Sequence, residues 1–167
     1  RCVGGGTTVN WTSSFRTPDE TLAFWRERYG LTELTSEAMT PYFEQAERRL
    51  NIDNWHVAPN ENNELLRRGA IKLGVSSGVI RRNVKGCWNL GSCGLGCPTN
   101  AKQSMLVTTL PVALQRGARL LVQTRAERFE LRDGRATALQ ALACGNSADG
   151  KAPARPLRIT AKHYIVA

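Results

Sequence analysis

The chain has 167 residues, of which 41% are hydrophobic and 22% are charged, a composition that excludes a disordered chain and suffices for a buried core. It contains no apolar run of the roughly 18 residues that a membrane-spanning helix requires, and its first ten residues lack a signal-peptide pattern, so no transmembrane segment is expected. Its net charge of +9 comes from positions 65–167, but the bases there are scattered without a recognised motif, so nucleic acid is not an expected partner.

A glycine-rich stretch, GGGTTVN, runs from Gly4 to Asn10. Three residues without side chains let a backbone approach a ligand closely, although such stretches are often only turns. No Lys-Ser/Thr pair follows and the spacing differs from G-x-G-x-x-G, which excludes a P-loop and a dinucleotide fingerprint. Because the chain opens on this cluster without a methionine and stops within the strand-like HYIVA, we expect it to be an internal fragment.

The first predicted helix lies in TPDETLAFWRERYG. Thr17 can cap it, Pro18 suits its first position, and Glu20 completes a capping box. Leu22, Trp25 and Tyr29 then share one face, and Gly30 is a typical stop.

Two more helices are predicted before the chain reaches its cysteines. A second Thr-Pro pair predicts a helix that begins at Thr40 and continues to Leu50. A third helix is expected from about Asn62 to Leu73, with Gly74 as its stop.

The second half of the chain is predicted to contain mostly strands. A short strand is expected in GVIRRNV, after Gly78, and a helix kinked at Pro111 is expected from Lys102 to Gln115. Asp133–Gly134 between two alternating runs predicts a hairpin, and a loop, GNSADGKAPARP, precedes two further short strands in LRITAKHYIVA. The predicted class is α+β, with helices followed by a small antiparallel sheet.

Three cysteines surround a glycine-rich turn in CWNLGSCGLGCP. Cys87, Cys93 and Cys97 are followed by a proline, an ending similar to that of ferredoxin loops, and three thiolates can hold a three-iron cluster. The alternatives are a tight turn with small buried thiols, or a Cys93–Cys97 or Cys87–Cys97 disulfide. Zinc is disfavoured because C-x2-C knuckles are absent.

Three stretches resemble the glucose–methanol–choline (GMC) family of FAD-dependent oxidoreductases in order and spacing. They are GGGTTVNWTSSFRTP, CGLGCPTNAKQSMLVTTLPVALQRGARLLVQT and the terminal HYIVA. The middle stretch is most similar to the long-chain alcohol branch and to iron–sulfur sugar dehydrogenases. The resemblance implies a partial FAD-binding region at 1–33, part of a substrate-binding region at 34–84, and a return to the FAD-binding domain at 85–167.

The resemblance also implies which residues meet the cofactor. The glycine stretch matches the family loop beside the FAD pyrophosphate and flavin edge, where backbone N–H groups would hold phosphate oxygens. Arg128 matches the place where family backbone atoms meet the adenine. Val9 stands where some relatives carry a flavin-linked histidine, so FAD should be bound non-covalently. The implied cofactor-binding residues are Gly4, Gly5, Gly6, Thr7, Asn10 and Arg128.

No catalytic residue and no established metal ligand is assigned within the chain. Family members have a G-x-G-x-x-G strand and, near the C-terminus, a catalytic histidine, and neither is present here. His163 is expected to be structural, and His56 lies in the substrate region but not at the position of the base. The chain alone should therefore be inactive.

The function expected for the whole protein is oxidation of an alcohol CH–OH group by hydride transfer to non-covalent FAD. Its partners would be a small-molecule alcohol and the remainder of the same polypeptide. The alternatives are an iron–sulfur sugar or alcohol dehydrogenase that passes electrons to a cytochrome, with its cluster at Cys87, Cys93 and Cys97, or a non-catalytic basic binding module.

Overall fold

A computed structural model describes residues 2–145 and 153–166. The chain divides into two units, Arg1–Ala118 and Arg119–Ala167. The first unit contains all the helices described below and a two-stranded sheet, and the second contains a three-stranded sheet. The predicted α+β class with small antiparallel sheets is confirmed.

The glycine-rich stretch forms a turn and a single helical turn, and the first predicted helix follows it. Helix α1 is Gly6–Val9, and helix α2 is Asp19–Tyr29. Gly30 ends α2 in the left-handed conformation, with φ of 67°, as predicted. The predicted start is wrong by one residue because Pro18 is the N-cap and no side-chain cap is made. On the predicted face of α2, Leu22 is buried.

Helix α3 is Ser36–Arg49, so the predicted start at Thr40 is wrong by four residues. The hydroxyl of Thr35 accepts a hydrogen bond from the N–H of Ala38 at 3.1 Å and caps the helix there. Pro41 therefore lies inside α3, where its lack of an N–H removes one intrahelical bond.

Helix α4 and the small sheet complete the regular structure before the cysteines. Helix α4 is Glu61–Lys72, capped by the side chain of Asn60, and Gly74 follows it with φ of 65°, so the third helix is confirmed. Strand β1, Ile52–Asn54, pairs antiparallel with strand β2, Arg81–Asn83. The strand predicted after Gly78 is confirmed as β2, whereas β1 was not predicted.

Helix α5 is Thr109–Gln115, and the helix predicted from Lys102 is wrong over its first seven residues. The backbone N–H groups there have other acceptors: that of Lys102 is bonded to Cys97 Sγ at 3.4 Å, and that of Gln103 to the Asn83 carbonyl at 2.9 Å. These bonds keep Lys102 and Gln103 out of a helix and next to β2, where Lys102 forms a bridge with Val84. Residues 105–108 then form a turn.

The second unit is built on the predicted hairpin. Strands β3, Thr124–Arg132, and β4, Arg135–Ala143, are joined by Asp133 and Gly134, both with positive φ. Strand β5, Arg155–Ile159, pairs antiparallel with β4. The second strand predicted in LRITAKHYIVA is wrong, because residues 160–166 are irregular. Most of the predicted GNSADGKAPARP loop lies outside the described residues.

The buried residues of the first unit lie on α2, on β2, and where the N-terminal stretch meets the segment after the cysteines. Its buried polar residues are Thr12, Asn83, Lys102 and Ser104, and its buried apolar residues are Leu22 and Ala101. Within the described parts of the chain, no helix combines the length and apolar character needed to cross a bilayer.

Candidate functional site

The glycine turn, Gly4 to Gly6, depends on glycine at its first two positions. Gly4 and Gly5 have φ of 88° and 57°, a region that residues with a Cβ rarely adopt. A Cβ on Gly4 would lie 3.1 Å from Leu106 Cβ and 3.2 Å from the Leu106 backbone nitrogen. Gly4 therefore permits both the backbone reversal and a close approach to the segment after the cysteines.

The opposite side of the turn is open. A Cβ on Gly5 or Gly6 would meet no atom within 4 Å. Gly6 and Thr7 begin α1, so their N–H groups have no acceptor within the helix. An open backbone surface with N–H donors fits a phosphate-bearing or flavin cofactor, and the residues present are consistent with FAD.

The Thr7 side chain stabilises the conformation of the turn. Its hydroxyl donates to the Gly4 carbonyl at 2.5 Å and accepts from the Met105 N–H at 3.0 Å. With this hydroxyl proton donated inside the turn, Thr7 can offer a cofactor its backbone N–H rather than its hydroxyl proton.

Lys102 supports the same turn from behind. Its side chain is almost fully buried, at 2% exposure. Its ammonium donates hydrogen bonds to the carbonyls of Thr8 and Asn10, each at 2.7 Å, and to that of Cys93 at 2.6 Å. These three bonds use all three ammonium donors, so the buried side chain leaves no donor unsatisfied.

Asn10 and Thr12 connect the glycine turn to the two-stranded sheet. The Asn10 side-chain oxygen accepts from the Thr12 N–H at 3.3 Å, and the Thr12 carbonyl accepts from the Asn83 N–H at 3.3 Å. The Ser14 N–H donates to the Arg81 carbonyl at 3.0 Å, which extends the pairing along β2. The predicted residues Gly4, Gly5, Gly6, Thr7 and Asn10 are thus brought together, although their role toward a cofactor stays a prediction.

Arg128, the remaining predicted cofactor residue, belongs to the second unit. It lies on β3, and its Nε donates to the side-chain oxygen of Gln140 at 2.7 Å. Its contact with a cofactor stays a prediction.

The cysteine loop, residues 87–98, forms a tight connection. Gly91 and Gly96 have positive φ, and a Cβ on Gly94 would lie 3.0 Å from the Trp11 ring. The glycines of this loop therefore give it its turns and its close packing against the residue that follows the glycine stretch. This geometry fits the predicted tight turn.

The thiols of the cysteine loop have separate environments. Burial raises the pKa of the Cys97 thiol, but hydrogen bonds from the Thr99 hydroxyl and the Lys102 N–H outweigh it and leave that pKa below its usual range. The Cys87 sulfur accepts from the Asn89 N–H at 3.4 Å. All five cysteines are free thiols, so neither predicted disulfide is formed.

The iron–sulfur interpretation gains no support from this loop. Across residues 2–145 and 153–166, no three His, Cys, Asp or Glu side chains are arranged to hold a metal ion. Cys87, Cys93 and Cys97 therefore do not form a preassembled cluster site.

The two histidines lie outside the turn. His56 is exposed beside Trp55, with ring centroids 4.8 Å apart. The guanidinium carbon of Arg82 lies over the Trp55 ring, 4.6 Å from its centroid. His163 is exposed in an irregular segment, so its predicted place in a strand is wrong.

Sequence reasoning did not identify Lys102 as part of this site. It is separated from Thr8 by 94 positions, and its role depends on contacts that a local pattern does not encode. The one available signal is its position shortly after the cysteine loop.

Comparisons with known proteins converge on one family. The sequence profile of the GMC oxidoreductase N-terminal domain matches residues 1–167. An uncharacterised GMC-type oxidoreductase of Sinorhizobium fredii is 34% identical over 84% of this chain and 28% of its own length. An uncharacterised GMC-type oxidoreductase of Mycobacterium tuberculosis is 35% identical over 84% of this chain and 23% of its own length.

A long-chain-alcohol oxidase of Arabidopsis thaliana is 34% identical over 78% of this chain and 17% of its own length. The chain thus spans between about a sixth and somewhat over a quarter of these relatives. No solved structure matches the chain at a significant level.

Proposed function

The chain belongs to the GMC oxidoreductase family, and we propose that it forms part of the FAD-binding domain of an enzyme that oxidises the CH–OH group of an alcohol. The observation that carries the proposal is the glycine turn, whose open face exposes backbone N–H groups. The family profile, which matches the whole chain, supports the same proposal. The similarity to a long-chain-alcohol oxidase favours a longer-chain alcohol as substrate.

The residues proposed to hold FAD do so mainly through backbone atoms. The N–H groups of Gly6 and Thr7 would face phosphate oxygens or the flavin edge, because a side chain at Gly5 or Gly6 would occupy that space. The Gly5 N–H already donates to the Cys2 carbonyl at 3.1 Å, so Gly5 would contribute only its lack of a side chain. Asn10 fixes the end of the turn through its bond to Thr12. The backbone near Arg128 would contact the adenine.

Once bound, FAD supplies the electron-accepting centre for hydride removal from the carbinol carbon. This chain contributes binding and orientation, and we assign no catalytic base to it. Val9, at the end of α1, carries only an alkyl side chain and offers no nucleophile for a covalent flavin bond. We therefore propose non-covalent FAD.

The test uses the complete protein. It should purify with flavin absorbance, release FAD into the supernatant on acid precipitation, and lose that absorbance on anaerobic addition of a long-chain primary alcohol. Flavin that stays with the precipitate would refute the proposal that FAD is bound non-covalently. A protein that binds no FAD and oxidises no alcohol would instead be a non-catalytic member of the family.

The chain of 167 residues alone provides a second test. Because we assign it no catalytic base and only part of the cofactor's contacts, it should bind FAD weakly and turn over no alcohol. Titration of the purified chain with FAD, followed by flavin fluorescence, measures this. A stoichiometric complex at micromolar concentration would contradict the assignment.

A further inference from the structure

Two hydrogen bonds join Lys102 to the end of the glycine stretch, at Thr8 and Asn10, and a third joins it to the cysteine loop at Cys93. No local sequence pattern predicts these bonds. We propose that Lys102 is a positioning residue, which holds the glycine turn in the shape that receives the cofactor and does not itself contact the cofactor. The expected effect of Lys102 on FAD affinity rests on the proposed function. Its expected effect on the conformation of the turn rests on the geometry alone.

The turn needs such support because its helix is short. A helix of four residues, Gly6–Val9, is too short to be stable without tertiary contacts. The carbonyls of Thr8 and Asn10 lie at its C-terminal end, where the helix dipole is negative, and the Lys102 ammonium bonds to both. The positive charge therefore stabilises the end of α1 opposite to the open glycines.

The third bond links the turn to the cysteine loop. The Lys102 ammonium also donates to the Cys93 carbonyl, so one buried group connects the cysteine loop with the carbonyls of Thr8 and Asn10. A second connection lies nearby, where the Met105 N–H donates to the Thr7 hydroxyl. The cysteine loop and residues 101–105 thus form the support of the turn, while the Gly5–Gly6 side stays open.

The same geometry argues against a direct role for Lys102. A lysine close to a glycine turn is commonly a phosphate ligand, as in P-loops. Here all three ammonium donors are committed to protein carbonyls, and the side chain is 2% exposed. A cofactor phosphate could reach this charge only if the turn opened.

The test compares Lys102→Met with two control variants in the complete protein. Lys85→Met removes an exposed lysine charge from the same part of the chain, and Leu22→Ala lowers the stability of the first unit at a buried site outside the turn. Hydrogen exchange of residues 4–10 is measured against that of the 124–143 hairpin, and FAD affinity is measured by titration of the apoprotein.

We expect Lys102→Met to accelerate exchange at residues 4–10 by about tenfold or more, the effect of losing hydrogen bonds to a charged group, and to weaken FAD binding by a similar factor. Lys85→Met should not change exchange at residues 4–10. Leu22→Ala should accelerate exchange at residues 4–10 no more than at α4, which belongs to the same unit. Faster exchange with unaltered FAD affinity would overturn the positioning role. Unaltered exchange would overturn the structural argument itself.

A labelling experiment on the wild-type protein covers the case in which Lys102→Met does not fold. Acetic anhydride should modify Lys85 quickly and Lys102 only when the turn opens. FAD at about ten times its dissociation constant should slow labelling of Lys102 about tenfold and leave Lys85 unchanged. Equal labelling of Lys102 with and without bound FAD would overturn the inference. If the wild-type protein binds no FAD, the proposed function fails, while the exchange result still decides the effect of Lys102 on the turn.

Discussion

The buried ammonium of Lys102 lies 2.7 Å from the carbonyl oxygen of Asn10, although 92 positions separate the two residues in the chain. This bond joins the end of the glycine stretch to the segment after the cysteines, which are two of the stretches that resemble the GMC family. These parts of the resemblance therefore correspond to one connected structure in the first unit: a glycine turn and the support behind it.

Gly4→Ala should destabilise the first unit by about 1–3 kcal/mol, the usual cost of a strained backbone position. A methyl group there would require an L-residue at φ of 88° and would press against Leu106. Gly6→Ala is the matched control, because Gly6 is helical and a Cβ on it meets nothing within 4 Å. Denaturant unfolding of both variants measures the difference, and equal stabilities would contradict the geometry of the turn.

The Glu47 carboxylate should make the stability of the first unit depend on pH. It accepts hydrogen bonds from Arg16 at 2.8 Å and Arg81 at 2.6 Å, and these bonds lower its pKa from 4.5 to about 2. A pKa that is lower in the folded protein contributes stability above pH 4.5, and this contribution is lost as the pH falls toward 2. Glu47→Gln should therefore cost about 1–2 kcal/mol at pH 7, after allowance for screening, and almost nothing near pH 2.

The control for this prediction is Glu44→Gln on the same helix. Glu44 is half exposed and forms a single long ion pair with Arg48 at 3.8 Å, so its loss should cost less than about 0.5 kcal/mol at any pH. Urea unfolding between pH 2 and pH 7 separates the two variants. A pH-independent cost for Glu47→Gln would show that its ion pairs do not contribute to stability.

The cysteines should be structural rather than electron-carrying. Because their sulfurs are not arranged around one point that could hold a metal, the complete protein purified without oxygen should contain no stoichiometric iron. Cys87→Ser should leave FAD content unchanged and cost only local stability. Iron analysis with electron paramagnetic resonance decides the matter, and a stoichiometric iron signal lost in Cys87→Ser would restore the cluster-bearing dehydrogenase.

The features that could be predicted from the sequence are those fixed by neighbouring residues. Gly30 and Gly74 end their helices because each adopts a left-handed conformation that glycine favours, and Asp133–Gly134 reverses the chain between two alternating strands. These residues act within one turn of the chain, so the local pattern carries the information.

The features that were missed depend on distant contacts. The Thr-Pro rule placed a helix start at Thr40, but the hydroxyl of Thr35 caps the helix earlier, and Pro41 is tolerated inside it. The segment that begins at Lys102 has a helical pattern, yet its N–H groups are bonded to Cys97 and Asn83. No local periodicity reports such partners, and the role of Lys102 was missed for the same reason.

The central claim is that the open face of the glycine turn receives FAD, and the FAD affinity of Gly6→Ala in the complete protein tests it most directly. This methyl group has room in the protein, so stability should change by less than about 0.5 kcal/mol. Gly69→Ala, an equally unobstructed glycine in α4, is the control. We expect Gly6→Ala to weaken FAD binding at least about tenfold, because the methyl group fills the space of the cofactor, and Gly69→Ala to leave it unchanged. Wild-type affinity in Gly6→Ala would contradict the account.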